Sequence, residues 1–210
     1  LCLPGLVAVP ESNDLAPVIQ PATPAAATAV PLERRGAVEV DGDLEEWAVE
    51  PYALNDADGR INASFRLGWT DDAFLVGVEV EDDSRTVADA KDTLWAYDSI
   101  QLALDPHNEK TLGSYGPHDV EVDFGMLADG PAIYARAESE AVRDAVVKRA
   151  EFAIANADGV TTYEVALPWE ALGLPKVAPG APLGFNIVVN DRDAGTDRAM
   201  VQWTPGVIYM

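Results

Sequence analysis

Ala63-Ser64-Phe65-Arg66-Leu67-Gly68-Trp69-Thr70-Asp71-Asp72-Ala73-Phe74-Leu75-Val76-Gly77-Val78-Glu79-Val80 is the stretch that decides the fold class. Ala63, Phe65, Leu67 and Trp69 alternate with Asn62, Ser64, Arg66 and Gly68. A period of two places one kind of residue on each face of an extended chain. Asp71-Asp72 supplies a turn, and Phe74, Val76, Val78 and Val80 then alternate again. Two such runs about a turn read as a β-hairpin with an apolar face.

The same period recurs downstream. It marks Ile100, Leu102 and Leu104, then Val120, Val122 and Phe124, then Tyr163, Val165 and Leu167, and finally Leu183, Phe185, Ile187 and Val189. Asp41-Gly42, Asp58-Gly59, Asp129-Gly130 and Asp158-Gly159 punctuate these runs as turn signals. Many short alternating strands with such turns predict an all-β, antiparallel β-sandwich with one or two short helices. The helices are expected at Leu44 to Trp47 and from Pro168 through Leu172, since proline suits a first helical position. Glu138 to Arg149 is rich in helix formers. Val146, Lys148, Ala150, Phe152 and Ile154 nevertheless share one parity ahead of the turn Asn156-Ala157-Asp158-Gly159, so a strand is expected from about Ala145 to Ala155.

Upstream of the strands the composition changes. Pro21-Ala22-Thr23-Pro24-Ala25-Ala26-Ala27-Thr28-Ala29-Val30-Pro31 is linker-like, stiff and unable to bury a core. Residues 1–36 are therefore read as a leader remnant followed by a Pro/Ala-rich linker, and residues 37–210 as the sandwich, with its C-terminal strand open to truncation. The first ten residues resemble the apolar part of a leader. This makes a secreted, periplasmic or cell-envelope location the expectation.

Charge narrows the function classes. Lys and Arg total 14 against 36 Asp and Glu, a formal net charge of -22. Phosphate binding needs a basic footprint, so nucleic acid is excluded as a partner, and anionic lipid surfaces are disfavoured. No apolar run reaches the roughly 20 residues of a membrane helix, so no membrane insertion is expected. The acidity has two readings: solubility in an extracellular or saline medium, or carboxylates that hold calcium. Cys2 is the single cysteine and excludes an intrachain disulfide. No nucleophile elbow, phosphate loop or His-Glu metal motif occurs, so the chain is read as non-catalytic.

Five segments in order resemble carbohydrate-binding module family 9. Val40-Asp41-Gly42-Asp43-Leu44-Glu45-Glu46-Trp47 resembles its "V-D-G-x-x-D/E-x-x-W" opening, and Leu67-Gly68-Trp69-Thr70-Asp71-Asp72-Ala73-Phe74-Leu75-Val76 its "W-D-x-x-x-L-Y-V" hairpin. Trp95-Ala96-Tyr97-Asp98-Ser99-Ile100-Gln101-Leu102-Ala103-Leu104-Asp105, Tyr163 to Trp169, and Leu183-Gly184-Phe185-Asn186-Ile187-Val188-Val189-Asn190-Asp191 continue the series. The resemblance implies an immunoglobulin-like sandwich. It also implies an accessory module that binds mono-, oligo- or polysaccharide between aromatic rings, carries structural calcium, and is covalently attached to an enzyme or other domains.

By that resemblance Trp95 is one wall of the sugar slot, where a flat indole stacks on the apolar face of a pyranose. Gln101 takes the place of a sugar-binding carboxylate, and its amide both donates and accepts. The family's basic contact falls at about Asp123, which reverses the charge, and a further polar contact falls at Val188. The second aromatic wall has no direct match; Tyr209 is the nearest replacement, while Trp203 is read as core. Calcium is expected at Asp82 and Asp83, Asp98, and Asp191 with Asp193. A haem-binding electron-transfer domain of the same superfamily is the alternative, with Met126, Met200, His107 and His118 as available axial ligands. A structural or docking sandwich that has lost its slot is a third reading.

Overall fold

The computed structural model describes residues 33–34 and 38–204, apart from 110–114, 176, 178–180 and 196. Tyr209 and the bulk of the linker segment lie outside the described residues. Two sheets face each other. The first orders its strands as β1 (Glu33–Arg34), β3 (Asn62–Trp69), β4 (Ala73–Glu81), β9 (Val160–Pro168) and β8 (Glu151–Ala157), with β2 (Tyr52–Asn55) also pairing with β3. The second runs β11 (Ala199–Gln202), β10 (Gly184–Asp191), β5 (Ser99–Asp105), β6 (Val120–Leu127) and β7 (Gly130–Ala137). All pairings are antiparallel except the short β1–β3 pair. The expected all-β sandwich is the fold. Its start differs: β1 lies inside the segment read as linker.

The alternation in sequence becomes the core. Phe65, Phe74, Val76, Val78, Ile100, Leu102, Val122, Phe124, Val165 and Ile187 are buried in one apolar cluster between the sheets. Removing any of the large ones leaves a cavity, which costs about 3–5 kcal/mol for a phenylalanine truncated to alanine. Trp203 is half-buried and packs edge-on against Phe65 at 5.4 Å.

β4 departs from the simple pattern, because both of its faces are covered. Ala73 and Leu75 point away from the core and pack with Leu44, Trp47 and Ala166. Residues 38–49 thus form a cover over the outer face of the first sheet. A buried carboxylate fixes it. Glu164, 0% exposed, accepts hydrogen bonds from the N–H groups of Asp41 and Gly42 at 3.0 Å each and from the Trp47 indole at 2.8 Å. The Asp-Gly and Trp of the opening motif are therefore the donors for one acid 117–123 residues away. Gly42 has φ +90, and a Cβ there would meet Ala155 at 3.1 Å, so only glycine fits.

Three local expectations are corrected. Leu44 to Trp47 is a single turn closed by Trp47 N–H on the Leu44 carbonyl, and not a helix. Pro168 ends β9, and Trp169 to Gly173 is likewise a turn. The helices are instead a 3-10 helix at Lys91–Ala96 and α1 at Glu140–Arg149. The strand expected from Ala145 begins only at Glu151. Ser139 caps α1 by accepting from Val142 N–H, and Val142, Ala145 and Val146 pack on the core at helical spacing. Helix propensity prevailed up to Arg149, and the parity that suggested a strand is real only beyond Ala150.

Candidate functional site

The outer face of the second sheet carries the side chains of opposite parity to the core: Ser99, Gln101, Ala103, Glu121, Asp123, Tyr134, Arg136, Asn186, Val188, Asn190 and Met200. Register across the sheet aligns Val188, Gln101, Asp123 and Tyr134 in one row. Polar residues on an outer face are ordinarily solvated. Here Gln101, Glu121, Asp123, Asn186 and Asn190 are buried. Burial of polar groups demands partners.

Asn186 bonds to Thr204, and the partners of the other four form one connected chain. Arg136 Nη1 donates to Asp123 Oδ2 at 2.7 Å, Asp123 Oδ1 at 2.8 Å and Glu121 Oε1 at 3.0 Å. Gln101 Nε2 donates to Glu121 at 2.9 Å and Asp123 at 3.2 Å, and its carbonyl accepts from Asn190 Nδ2 at 3.2 Å. Asn190 Oδ1 accepts from Arg198 Nη1 at 2.8 Å, and the same nitrogen donates to the Trp95 carbonyl at 2.9 Å. At the other end the Tyr115 hydroxyl donates to Glu121 Oε2 at 2.8 Å. Burial pushes the Asp123 carboxyl up to about 6, against the opposing pull of Arg136. Burial also works against the Arg136 charge, but Asp123 and Glu121 outweigh it and hold its pKa up. Burial and the Glu121 charge raise the Tyr115 hydroxyl above its ordinary value.

Trp95 ends this network at the rim. It sits in the 3-10 helix before β5, is 42% exposed, and carries the Arg198 guanidinium 5.0 Å from its ring centroid. Arg136 likewise lies 4.8 Å over the Tyr134 ring. The structure therefore brings Trp95, Gln101 and Asp123 onto one face. Val188 is fully buried there with Ala103 and Met200 and offers no polar group. The face also contains Arg136, Glu121, Asn190, Arg198 and Tyr115, which the sequence reading did not select. Arg136 brings a positive charge beside Asp123 from the adjacent strand.

The haem candidates are distributed differently. His107 and His118 stack at 4.1 Å in the β5–β6 connection. Met126 and Met200 lie on β6 and β11, and the Met200 sulfur accepts from Arg198 at 3.4 Å.

A second acidic assembly lies where β4, the start of β5 and the end of β10 meet. Burial pushes Asp98 up to about 6, with the Asp82 charge adding to it and N–H donation from Thr86 and Arg192 opposing it. Burial likewise pushes Asp191 up to about 6, with Asp98, Asp193 and Asp82 all contributing repulsion. Four of the five carboxylates expected to hold calcium thus feel one another's charge. Asp83 is exposed on the turn after β4.

Comparison with known proteins gives this arrangement a family. Residues 44–206 match the family model described as carbohydrate family 9 binding domain-like. Endo-1,4-beta-xylanase A of Thermotoga neapolitana is 22% identical over 183 residues, and that of Thermotoga maritima is 25% identical over the same length. The match covers 83% of this chain but 16% of each relative, so the chain spans about a sixth of their length. A carbohydrate binding module family 9 from Caldicellulosiruptor kristjanssonii, solved in complex with cellotriose, superposes with a TM-score of 0.67 at 21% identity, covering 82% of this chain and 83% of that one. A carbohydrate binding module family 9 from the same organism, in complex with glucose, also gives 0.67 at 21% identity, covering 83% and 84%. With the family model spanning most of the residues and the two-sheet fold shared, the chain belongs to the carbohydrate family 9 binding domain-like family.

Proposed function

We propose that this chain is a non-catalytic module that binds sugar on the outer face of its second sheet, and that it serves as a secreted accessory unit of a longer protein. The observation that carries the reading is the buried chain of donors and acceptors from Tyr115 to Arg198, ending beside the exposed Trp95. A pyranose offers an apolar C–H face to the indole and a rim of hydroxyls that both donate and accept. Glu121 and Asp123 accept from hydroxyls, Arg136 and Arg198 donate, and Gln101 does both. Arg198 over the indole is the group that a stacked ring displaces. The structural relatives bound to cellotriose and glucose make β-glucans the first ligands to try.

One-sided stacking buries little area, and association costs translational and rotational freedom. A dissociation constant on the order of 0.1–1 mM follows, about 4–5.5 kcal/mol. Calorimetric titration of glucose, cellobiose, cellotriose and xylobiose into the wild type and Trp95→Ala tests this. The expected result is binding by the wild type and at least a roughly tenfold loss in the variant, about 1.4 kcal/mol. Equal affinity in both would place the site elsewhere. Absence of any binding would favour a docking sandwich.

Asp82, Asp98, Asp191 and Asp193 are read as a structural calcium site. Supporting this are their oxygen chemistry and the mutual repulsion that a cation relieves. Asp98 already orients its carboxylate through two backbone N–H groups, which leaves each oxygen a second lone pair for a metal. Melting curves in excess calcium and in excess chelator test it; identical curves after verified metal removal would refute it.

A further inference from the structure

We propose that the outer face of the second sheet selects an acidic sugar, a uronic acid residue whose carboxylate is received by the Arg198 guanidinium beside Trp95. This rests on the sugar reading above and adds a charge to the ligand.

Charge is distributed unevenly along the face. At the Tyr115 end, Glu121 and Asp123 share Arg136, which lies 3.0 Å and 2.7 Å from them. Gln101 and Asn190 follow, both neutral. At the Trp95 end stands Arg198, and among the described residues no carboxylate forms an ion pair with it. In a chain with 36 Asp and Glu against 14 Lys and Arg, a partly buried base without an acid runs against composition. Burial holds the Arg198 pKa below its ordinary value, with no neighbouring negative charge to offset it. A bound anion supplies that charge.

The donors of Arg198 are also underused. Nη1 donates to the Trp95 carbonyl at 2.9 Å and to Asn190 Oδ1 at 2.8 Å, while Nη2 reaches the Met200 sulfur at 3.4 Å. The first of these has a structural purpose. It satisfies a carbonyl at the end of the 3-10 helix, as Arg192 Nη1 does for the Ala96 carbonyl at 3.3 Å. That purpose uses one nitrogen. A guanidinium carries five N–H groups, and a thioether is a weak acceptor. A planar carboxylate matches the remaining fork through two parallel N–H···O bonds.

Position joins the two chemistries in one ligand. The guanidinium lies 5.0 Å from the centroid of the Trp95 ring. A pyranose stacking on the indole moves it to the edge of the sugar. There a C6 carboxylate gains a charge-assisted pair that a neutral hydroxymethyl group lacks. The hydroxyls on the opposite edge then face Gln101, Glu121 and Asp123. Turned around, the ligand would set its carboxylate against those two acids, so the gradient of charge also fixes its orientation.

The test is calorimetric titration of the methyl β-glycosides of glucuronic acid and glucose into the whole chain. Salt of about 0.15 M screens charges more than about 8 Å away, so the long-range repulsion from the acidic chain is small. The glucuronide is expected to bind at least about tenfold more tightly than the glucoside, through the charge-assisted pair. In Arg198→Gln, confirmed as folded by its melting curve, the ratio of the two affinities should fall to about one. Arg198→Lys should keep part of the preference, because it keeps the charge but not the fork. Equal affinities in the wild type, or a preference that persists in Arg198→Gln, would overturn the inference and leave the sugar reading standing. Glucuronide binding that survives Trp95→Ala would separate the anion site from the indole and overturn both, as would failure of either glycoside to bind.

Discussion

The two outer faces of the sandwich both bury carboxylates and satisfy them in different ways. On the first sheet Glu164 is held by two backbone N–H groups and an indole, all from residues 41–47 of its own cover. On the second sheet Asp123 and Glu121 are held by side chains, Arg136 and Gln101, whose ends can move to a ligand. Backbone donors fixed by a turn make a permanent closure. Flexible donors make a surface that is satisfied when empty and can exchange partners when occupied. That difference separates the closed face from the face proposed to bind sugar, although both carry acids on a strand.

The strongest test of the contrast is Glu164→Leu. It leaves three donors unpaired under an apolar cover, and losing hydrogen bonds to a charged group at about 1.5–3 kcal/mol each implies a net loss of about 3–5 kcal/mol. At about 2–4 °C per kcal/mol for a domain of this size, the melting temperature falls by roughly 6–20 °C. Glu164→Gln keeps one acceptor oxygen and should fall between. Sugar affinity, measured where the variant is folded, should hold, because the proposed site is on the other sheet.

Arg136→Met should act on both stability and binding. It strands Asp123, and because Arg136 is partly exposed the cost is expected at about 2 kcal/mol, below the 3–5 of a fully buried pair. The loss should be larger at pH 7.5 than at pH 5, because the stranded carboxyl can take up a proton. Melting curves at both pH values check this, and equal losses would show that Asp123 stays ionised. Sugar affinity should fall with it.

The buried acids also make stability depend on pH. Asp98, Asp123 and Asp191 are pushed from 3.8 to about 6 by burial. The folded state therefore binds more protons than the unfolded chain between those values. Their contribution to stability is full below about pH 4 and is lost as pH rises through about 6. Metal-free protein should melt several degrees lower at pH 7.5 than at pH 4.5, with calcium reducing the fall. A rise over that window would contradict the assigned burial.

The smallest expected stability effect is Trp95→Ala. The ring is exposed at the rim, so the loss should stay under about 1 kcal/mol, as for surface substitutions. A larger loss would make Trp95 a packing residue.

Much of this was legible in the residues, for physical reasons. Period two identifies strands wherever one face is apolar, and it placed β3 to β6, β9 and β10. It failed at α1, where Val142, Ala145 and Val146 follow helical spacing and the Ser139 cap was the unread signal. At the proposed site, Trp95, Gln101 and Asp123 were selected through the family resemblance, and the structure brings them onto one face. Arg136 was missed because its role is set by pairing between strands. The signal was present: the Asp129-Gly130 turn pairs Leu127 with Gly130, and counting outward sets Asp123 beside Tyr134 and Glu121 beside Arg136. Arg198 and Asn190 come from β10 and the approach to β11, and no local pattern joins them to Trp95.

The cover over the first sheet also has a mechanical meaning. Residues 38–49 cross the side of the domain opposite the proposed sugar face, so a pull arriving from the N-terminal side would load the short β1–β3 pair first and the Glu164 bonds to Asp41 and Gly42 next. Those bonds and the strip of Leu44, Trp47 and Leu75 fasten the cover to the sheet. Peeling of the cover would leave the polar row beside Trp95 intact, because that row lies on the other sheet.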